Sequence, residues 1–208
     1  LVGSEMCIRD RKIGEVIMLA TNLQPFLMGI VVSVLVGAAL TLPISSAAIC
    51  AAFGLTGLAG GAAVAGCCAQ MIGFAVMSFK ENGWGGLVSQ GIGTSMLQMG
   101  NIIKNPRIWI APIVTSAITG PVATCLFKLQ MNGTAVSSGM GTCGFVGQIG
   151  VYSGWVNDVA AGTKSAITMM DWVGLILISF VLPAVICPFI NWLLKKAGWV
   201  KDGDMKLQ

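Results

Sequence analysis

The sequence predicts an all-α polytopic membrane protein. It reads as about four transmembrane helices plus two re-entrant glycine-rich segments, part of a larger helical, transporter-like fold. Three observations carry this. Leu55 to Phe79 holds no charged residue, and about 20 apolar residues suffice to cross a bilayer core. Charged residues make up 10% of the chain, against about 25% in a soluble domain. Small residues recur at every fourth position through Gly57, Gly61, Ala65, Ala69 and Gly73. In lipid, helices associate through backbones that can approach, and this spacing allows it.

Each segment follows from its composition. Pro25 to Leu42 is apolar and stops at Pro43. Ile44 to Phe53 is apolar but too short to span. Leu55 to Phe79 spans, and Lys80 to Trp84 reads as a polar turn with an interfacial tryptophan. In that turn Glu81 is expected to pair with its neighbour Lys80. Gly85 to Gly100 (GGLVSQGIGTSMLQMG) is rich in glycine and polar side chains. Ile108 to Phe127 spans, Leu129 to Trp155 is again rich in Gly, Ser and Thr, and Asp158 to Asp171 is a polar loop. Trp172 to Leu194 spans and ends at Lys195-Lys196. The two glycine-rich segments are too polar to face lipid, so they are expected to be re-entrant, covered by protein or lining a cavity.

Lysines and arginines orient the spans. With Lys80, Lys104, Arg107, Lys195, Lys196, Lys201 and Lys206 inside, only Lys128 and Lys164 fall outside. This predicts a cytoplasmic tail at 195–208 after a membrane domain at 12–194. Residues 1–11 (LVGSEMCIRDR) resemble the translation of a transposase-type sequencing adapter and are set aside. On this reading the native N-terminus is missing.

Composition also excludes functions. There is no histidine, so a Ser-His-Asp triad and a His-ligated metal are excluded, and no metal or other cofactor is expected. The charge of +4 is spread between spans rather than gathered in a patch, which argues against nucleic acid. The cysteines outside 1–11 form no C-x-x-C pair and read as small buried residues.

The remaining chemistry is neutral. Ser89, Gln90, Thr94, Ser95 and Gln98 lie in the first polar segment; Thr134, Ser137, Ser138, Thr142 and Gln148 lie in the second. Gln70 is the one amide in the Leu55–Phe79 run, read as interhelical glue or as cavity-lining. Hydroxyls and amides suit a sugar or other small polar solute, or serve to satisfy freed backbone groups. The candidate substrate-binding set is therefore Gln70, Ser89, Gln90, Thr94, Gln98, Ser138, Thr142 and Gln148. Gly86-Leu87-Val88-Ser89-Gln90 echoes Gly144-Phe145-Val146-Gly147-Gln148, and paired broken segments point to transporter sites. Gln90 and Gln148 are expected to share one cavity near mid-membrane.

Five stretches carry a family resemblance: LPISSAAI at 42–49, 66–99 from GCCAQMIGF to GTSMLQM, KNPRIWIAP at 104–112, GMGTCGFVGQIG at 139–150 and the terminal GWVKDGDMKLQ. The chain resembles the bacterial phosphotransferase-system EIIC-type membrane proteins, in the branch termed sugar-transporter subunit IIC. The resemblance implies a multi-pass permease subunit of the bacterial inner membrane that takes up a sugar. It implies EIIB and EIIA phosphocarrier partners and a homo-oligomer in the bilayer. The chain lacks an EIIB-type phosphocysteine motif and the Gly-Ile-Thr-Glu pattern of glucose-type EIIC sites; Gly54-Leu55-Thr56-Gly57 is its nearest string. No catalytic residue is therefore carried over, and enzymatic activity stays open. The alternative is a non-catalytic membrane sensor or binding protein for a lipid or other apolar ligand, built on the same fold.

Overall fold

The computed structural model describes residues 24–207; the adapter-like stretch at 1–11 lies outside them. Helix α1 (Pro25–Thr41) starts with Pro in its first turn, where the missing N–H removes no bond. Helix α2 (Ser46–Ala52) is capped by Ser45, whose hydroxyl accepts from the Ala48 N–H. Helix α3 (Gly57–Met77) is the uncharged run. Helix α4 (Phe79–Val88) continues into a π-helical turn, Ser89–Gly93, and a 3-10 turn, Ser95–Gln98. Helix α5 (Met99–Lys104) is short. Helix α6 (Ile110–Pro121) is led by a 3-10 turn, Pro106–Trp109, and extended by a π turn, Val122–Leu126. Helix α7 (Ala135–Ser138) is a single turn. Helix α8 spans Val146–Ala160. Helices α9 (Met169–Ile176) and α10 (Leu182–Lys196) join through a third π turn, Leu177–Val181.

The fold is all-α. Three helical runs, Gly57–Met77, Pro106–Leu126 and Met169–Lys196, are long and apolar enough to cross a membrane. Helix α1 is a shorter apolar helix, about 26 Å long at 1.5 Å per residue. The first glycine-rich segment is broken into short helical pieces, and the second holds one helical turn and a 3-10 turn, Cys143–Phe145, before α8. The expected turn at Lys80–Trp84 is instead helical, and the break falls at one residue: Gly83 has φ 59°, a conformation open to glycine. Glu81 does not pair with Lys80. Its partners are Lys195 at 3.8 Å and the backbone N–H of Met205 at 2.9 Å. The six cysteines among the described residues are all free.

Helix α3 is the axis. Its residues from Ala59 to Met71 are buried without interruption. Helix α6 runs antiparallel to it, with Trp109 beside Gln70 and the Ser116 hydroxyl reaching the Gly66 carbonyl. The α9–α10 run is parallel to it, with Leu175 and Ile178 packed in one cluster with Val64 and Cys68 and Cys187 beside Met77. Helix α1 lies antiparallel to α6, from Pro25 near Thr124 to Ser33 on the Ser116 carbonyl. The bundle thus has two ends. Met77, Trp109 and Lys196 lie toward the tail end; Pro25, Gly57, Leu126 and Met169 lie at the far end.

Glycine sets the spacing. A Cβ on Gly66 would collide with the backbone of Ser33, and one on Gly61 with the carbonyl of Leu129. The small-residue stripe faces the extended stretch at 129–131 and α10, since Gly73 packs on Cys187. The closest approach to α1 is made by Gly66, which lies off the stripe. We predict that Gly66→Val removes the folded protein, since overpacking costs about 1–3 kcal/mol or more and backbone cannot rotate away. Gly100→Ala, with open space around its Cβ position, should leave melting temperature and size-exclusion profile in detergent unchanged. Equal behaviour of the two variants would contradict the packing described.

Candidate functional site

Helix α3 presents two polar faces. On one, Gln70 is fully buried. Its carbonyl oxygen accepts from Trp109 Nε1 at 3.1 Å and from Thr41 Oγ1 at 3.3 Å, and its amide donates to Ser116 Oγ at 3.4 Å. Thr41 also meets Ser95 Oγ at 3.0 Å. One amide thereby joins α1, α3, α6 and the first broken segment. All its neighbours are neutral, so no charge is buried unpaired. Of the two readings of Gln70, the contacts fit interhelical glue.

The opposite face carries Cys68, Met71, Ala75 and Ser78, spaced three and four apart and so aligned along one side of the helix. The two broken segments meet on it. Gln148 donates to Cys68 Sγ at 3.3 Å. Thr142 Oγ1 donates to the Gly91 carbonyl at 2.6 Å and lies 3.5 Å from Met71 Sδ. Gly91 seats on Ile72 and Ala75. Gln90 donates to Ser78 Oγ at 2.9 Å and to the Gly86 carbonyl at 3.1 Å. Gln98 donates to Gln90 Oε1 at 2.9 Å, and Asn101 donates to Gln98 Oε1 at 2.8 Å. The result is a seam of neutral polar groups from the level of Cys68 to the tail end.

The seam corrects the expected cavity. Gln90 and Gln148 do not share one. They stand at opposite ends of the seam, at Ser78 and Cys68, and ten helical residues separate those levels by about 15 Å. The echo in sequence does not carry into geometry, because Gly83 breaks one segment before its glutamine while Gly144 (φ 53°) and Phe145 (φ 58°) turn the other. Three further candidates make only local bonds. Ser89 donates to the Gly86 carbonyl, Ser138 donates to the Ala135 carbonyl, and Thr94 accepts from the Met96 N–H.

The segment after α10 closes the tail end of the seam. Asn82 donates to the Met205 carbonyl at 2.8 Å and accepts from the Leu207 N–H at 2.7 Å. Gln98 donates to the Met205 carbonyl at 3.0 Å, and Asn101 donates to that of Lys206 at 3.1 Å. Asn105 donates to Asp204 at 2.8 Å. Met205 is fully buried. Both limbs of the first broken segment are therefore tied to one strap, so that segment begins and ends at the same end of the bundle. Nearby, Lys195 hydrogen-bonds Asp202 and holds that carboxyl below the ordinary aspartate range, with Lys80 adding to the effect.

Sequence reasoning missed a cleft at the far end. It has a volume of about 510 Å³ and is lined by Lys128, Gln130, Asn132, Trp155, Asp158, Lys164 and Asp171, among others. Lys164 pairs with Asp171 at 2.7 Å and sits 5.1 Å from the Trp155 ring centre. Asn132 donates to Asp158 at 2.8 Å. Asp158, Lys164 and Asp171 read as a polar loop, and Gln130, Asn132 and Trp155 as part of the second glycine-rich segment, because polarity alone names no partner. The signal was Asn132, which ties the extended stretch at 129–131 to Asp158. Among the described residues, no three His, Cys, Asp or Glu side chains converge as a metal site would require.

No curated protein and no solved structure matches the chain. The family comparison gives one match, to "Phosphotransferase system, EIIC", over residues 10–207. A long neutral seam inside a bundle of apolar helices agrees with that match, and the chain belongs to the EIIC family of the phosphotransferase system.

Proposed function

We propose that this multi-pass subunit binds a sugar or similar neutral polyol in the seam on α3 and translocates it across the bacterial inner membrane. Its family makes it a permease-type component that works with other phosphotransferase components. In the proposal these are EIIB and EIIA proteins, which deliver phosphate from the cytoplasmic side. The observation that carries the reading is the Thr142–Gly91 contact, where two broken segments close on each other without any charged group. A neutral hydroxyl-rich solute can replace such bonds one for one; an ion would meet no counter-charge. The far-end cleft serves as the solute's mouth, and the strap at 199–207 closes the opposite exit.

Orientation follows from charge. Lys80 lies close enough to Asp202 to act on its carboxyl, Lys104 and Lys206 line one hollow at the tail end, and Lys128 and Lys164 line the far cleft. The positive-inside rule then supports a cytoplasmic tail. A membrane-impermeant maleimide should label cysteines at 80, 104 and 196 only from the cytoplasmic side, and one at 164 only from outside. Labelling of 80 and 104 from opposite sides would end the re-entrant reading.

A second reading rests on one groove. Ile72, Val76, Leu87, Ile92, Phe145 and Phe180 border a hollow of about 210 Å³ with an apolar lining that suits an apolar ligand. Thermal shifts of the purified protein in detergent separate the two. Stabilisation by at least one neutral monosaccharide or alditol, and none by fatty acids, is the expected result. Stabilisation by fatty acids alone would move the function to the groove.

A further inference from the structure

At the inner end of the seam, three elements converge on one thiol. Gln148 comes from α8, Cys68 from α3, and Ser179 from the π turn Leu177–Val181. The Ser179 hydroxyl lies near enough to act on the Cys68 thiol but makes no hydrogen bond of good geometry with it, and the Gln148 amide donates to that thiol at 3.3 Å. Yet two polar atoms here have no partner. Gln148 Oε1 and Ser179 Oγ are both sealed and unbonded, and Ser179 is 0% exposed. A buried polar group without a partner is costly, and two around one thiol point to a missing third group. The π turn strengthens this, since such one-residue insertions concentrate at functional sites.

The missing group has a definable chemistry. It must donate to Gln148 Oε1 and accept from, or donate to, Ser179 Oγ. No Asp, Glu, Lys or Arg lies in α3, in 142–151 or in 177–181, so an ionic ligand would be uncompensated. A hydroxyl is the common neutral group that both donates and accepts. We propose that Gln148, Ser179 and Cys68 form a hydroxyl-binding subsite that takes one hydroxyl of the translocated solute. Gln148 itself is half-buried, so its flank provides the approach. This inference rests on the seam reading above. A permanently bound water would present the same chemistry, and the test separates the two.

The experiment uses the whole chain in detergent, with D-glucose, D-galactose, D-mannitol and D-glucitol as probes. Ser179→Ala and Gln148→Met each remove one unpartnered group with little change in volume. The expected result is a Kd about tenfold weaker for the stabilising probe in either variant, the loss of roughly one hydrogen bond. The melting temperature without sugar should stay the same or rise, because an unsatisfied group has gone. Unchanged Kd with a lowered melting temperature would mean a structural water and overturn the subsite. Unchanged Kd with unchanged melting temperature would overturn it as well. If no probe binds the unmodified protein, the seam reading falls together with the subsite. If one variant fails to fold, the other still decides.

Discussion

Close approach of neighbouring backbones to α3 is the constraint on which the rest of this structure depends. The Ser33 backbone reaches Gly66, and the Leu129 carbonyl reaches Gly61. Apolar side chains give no net drive toward one another in lipid, so dispersion and short polar contacts hold the bundle. Removing side chains at these points lets two neighbours lie against α3 without a gap. Helix α3 then has room on its flanks for polar groups to bond sideways. Gln70 uses this on one face, and Cys68 to Ser78 use it on the other.

The two faces do different things. The Gln70 face ties four elements into one unit through neutral hydrogen bonds, each worth about 0.5–1.5 kcal/mol net. Its groups are satisfied, so it rigidifies. The seam face joins segments that are broken into short helices and π turns, and at its inner end it leaves two atoms unbonded. Short helical pieces are individually marginal. The seam is therefore the side on which movement costs least, with the strap at 199–207 fixing its tail end.

Much of this was legible in the sequence. The charge-free run of α3, the breaks in both glycine-rich segments and the interhelical role open to Gln70 follow from residue type alone. What could not be read was partnership across long separations. The tail GWVKDGDMKLQ reads as a solvated end, yet its carbonyls serve Asn82, Gln98 and Asn101 about a hundred residues earlier. Glu81 looked paired with its neighbour but reaches Lys195. Ser179 lies in a strongly apolar stretch and gives no signal until the π turn places it beside Cys68. The Gln90–Gln148 echo misled because similar pentapeptides enter their segments through different backbone turns.

Disulfide formation between cysteines placed at 75 and 91, in a background where only Cys125 and Cys143, the two cysteines among the described residues that are not buried, are replaced, tests the account most directly. A Cβ at Gly91 lies 3.4 Å from the Ala75 Cβ, close to the separation a disulfide spans. The closed seam predicts rapid cross-linking in native membranes and loss of sugar binding once the bond pins the first broken segment to α3. Absence of a cross-link, or a cross-linked protein that binds sugar as before, would contradict a solute path along the seam.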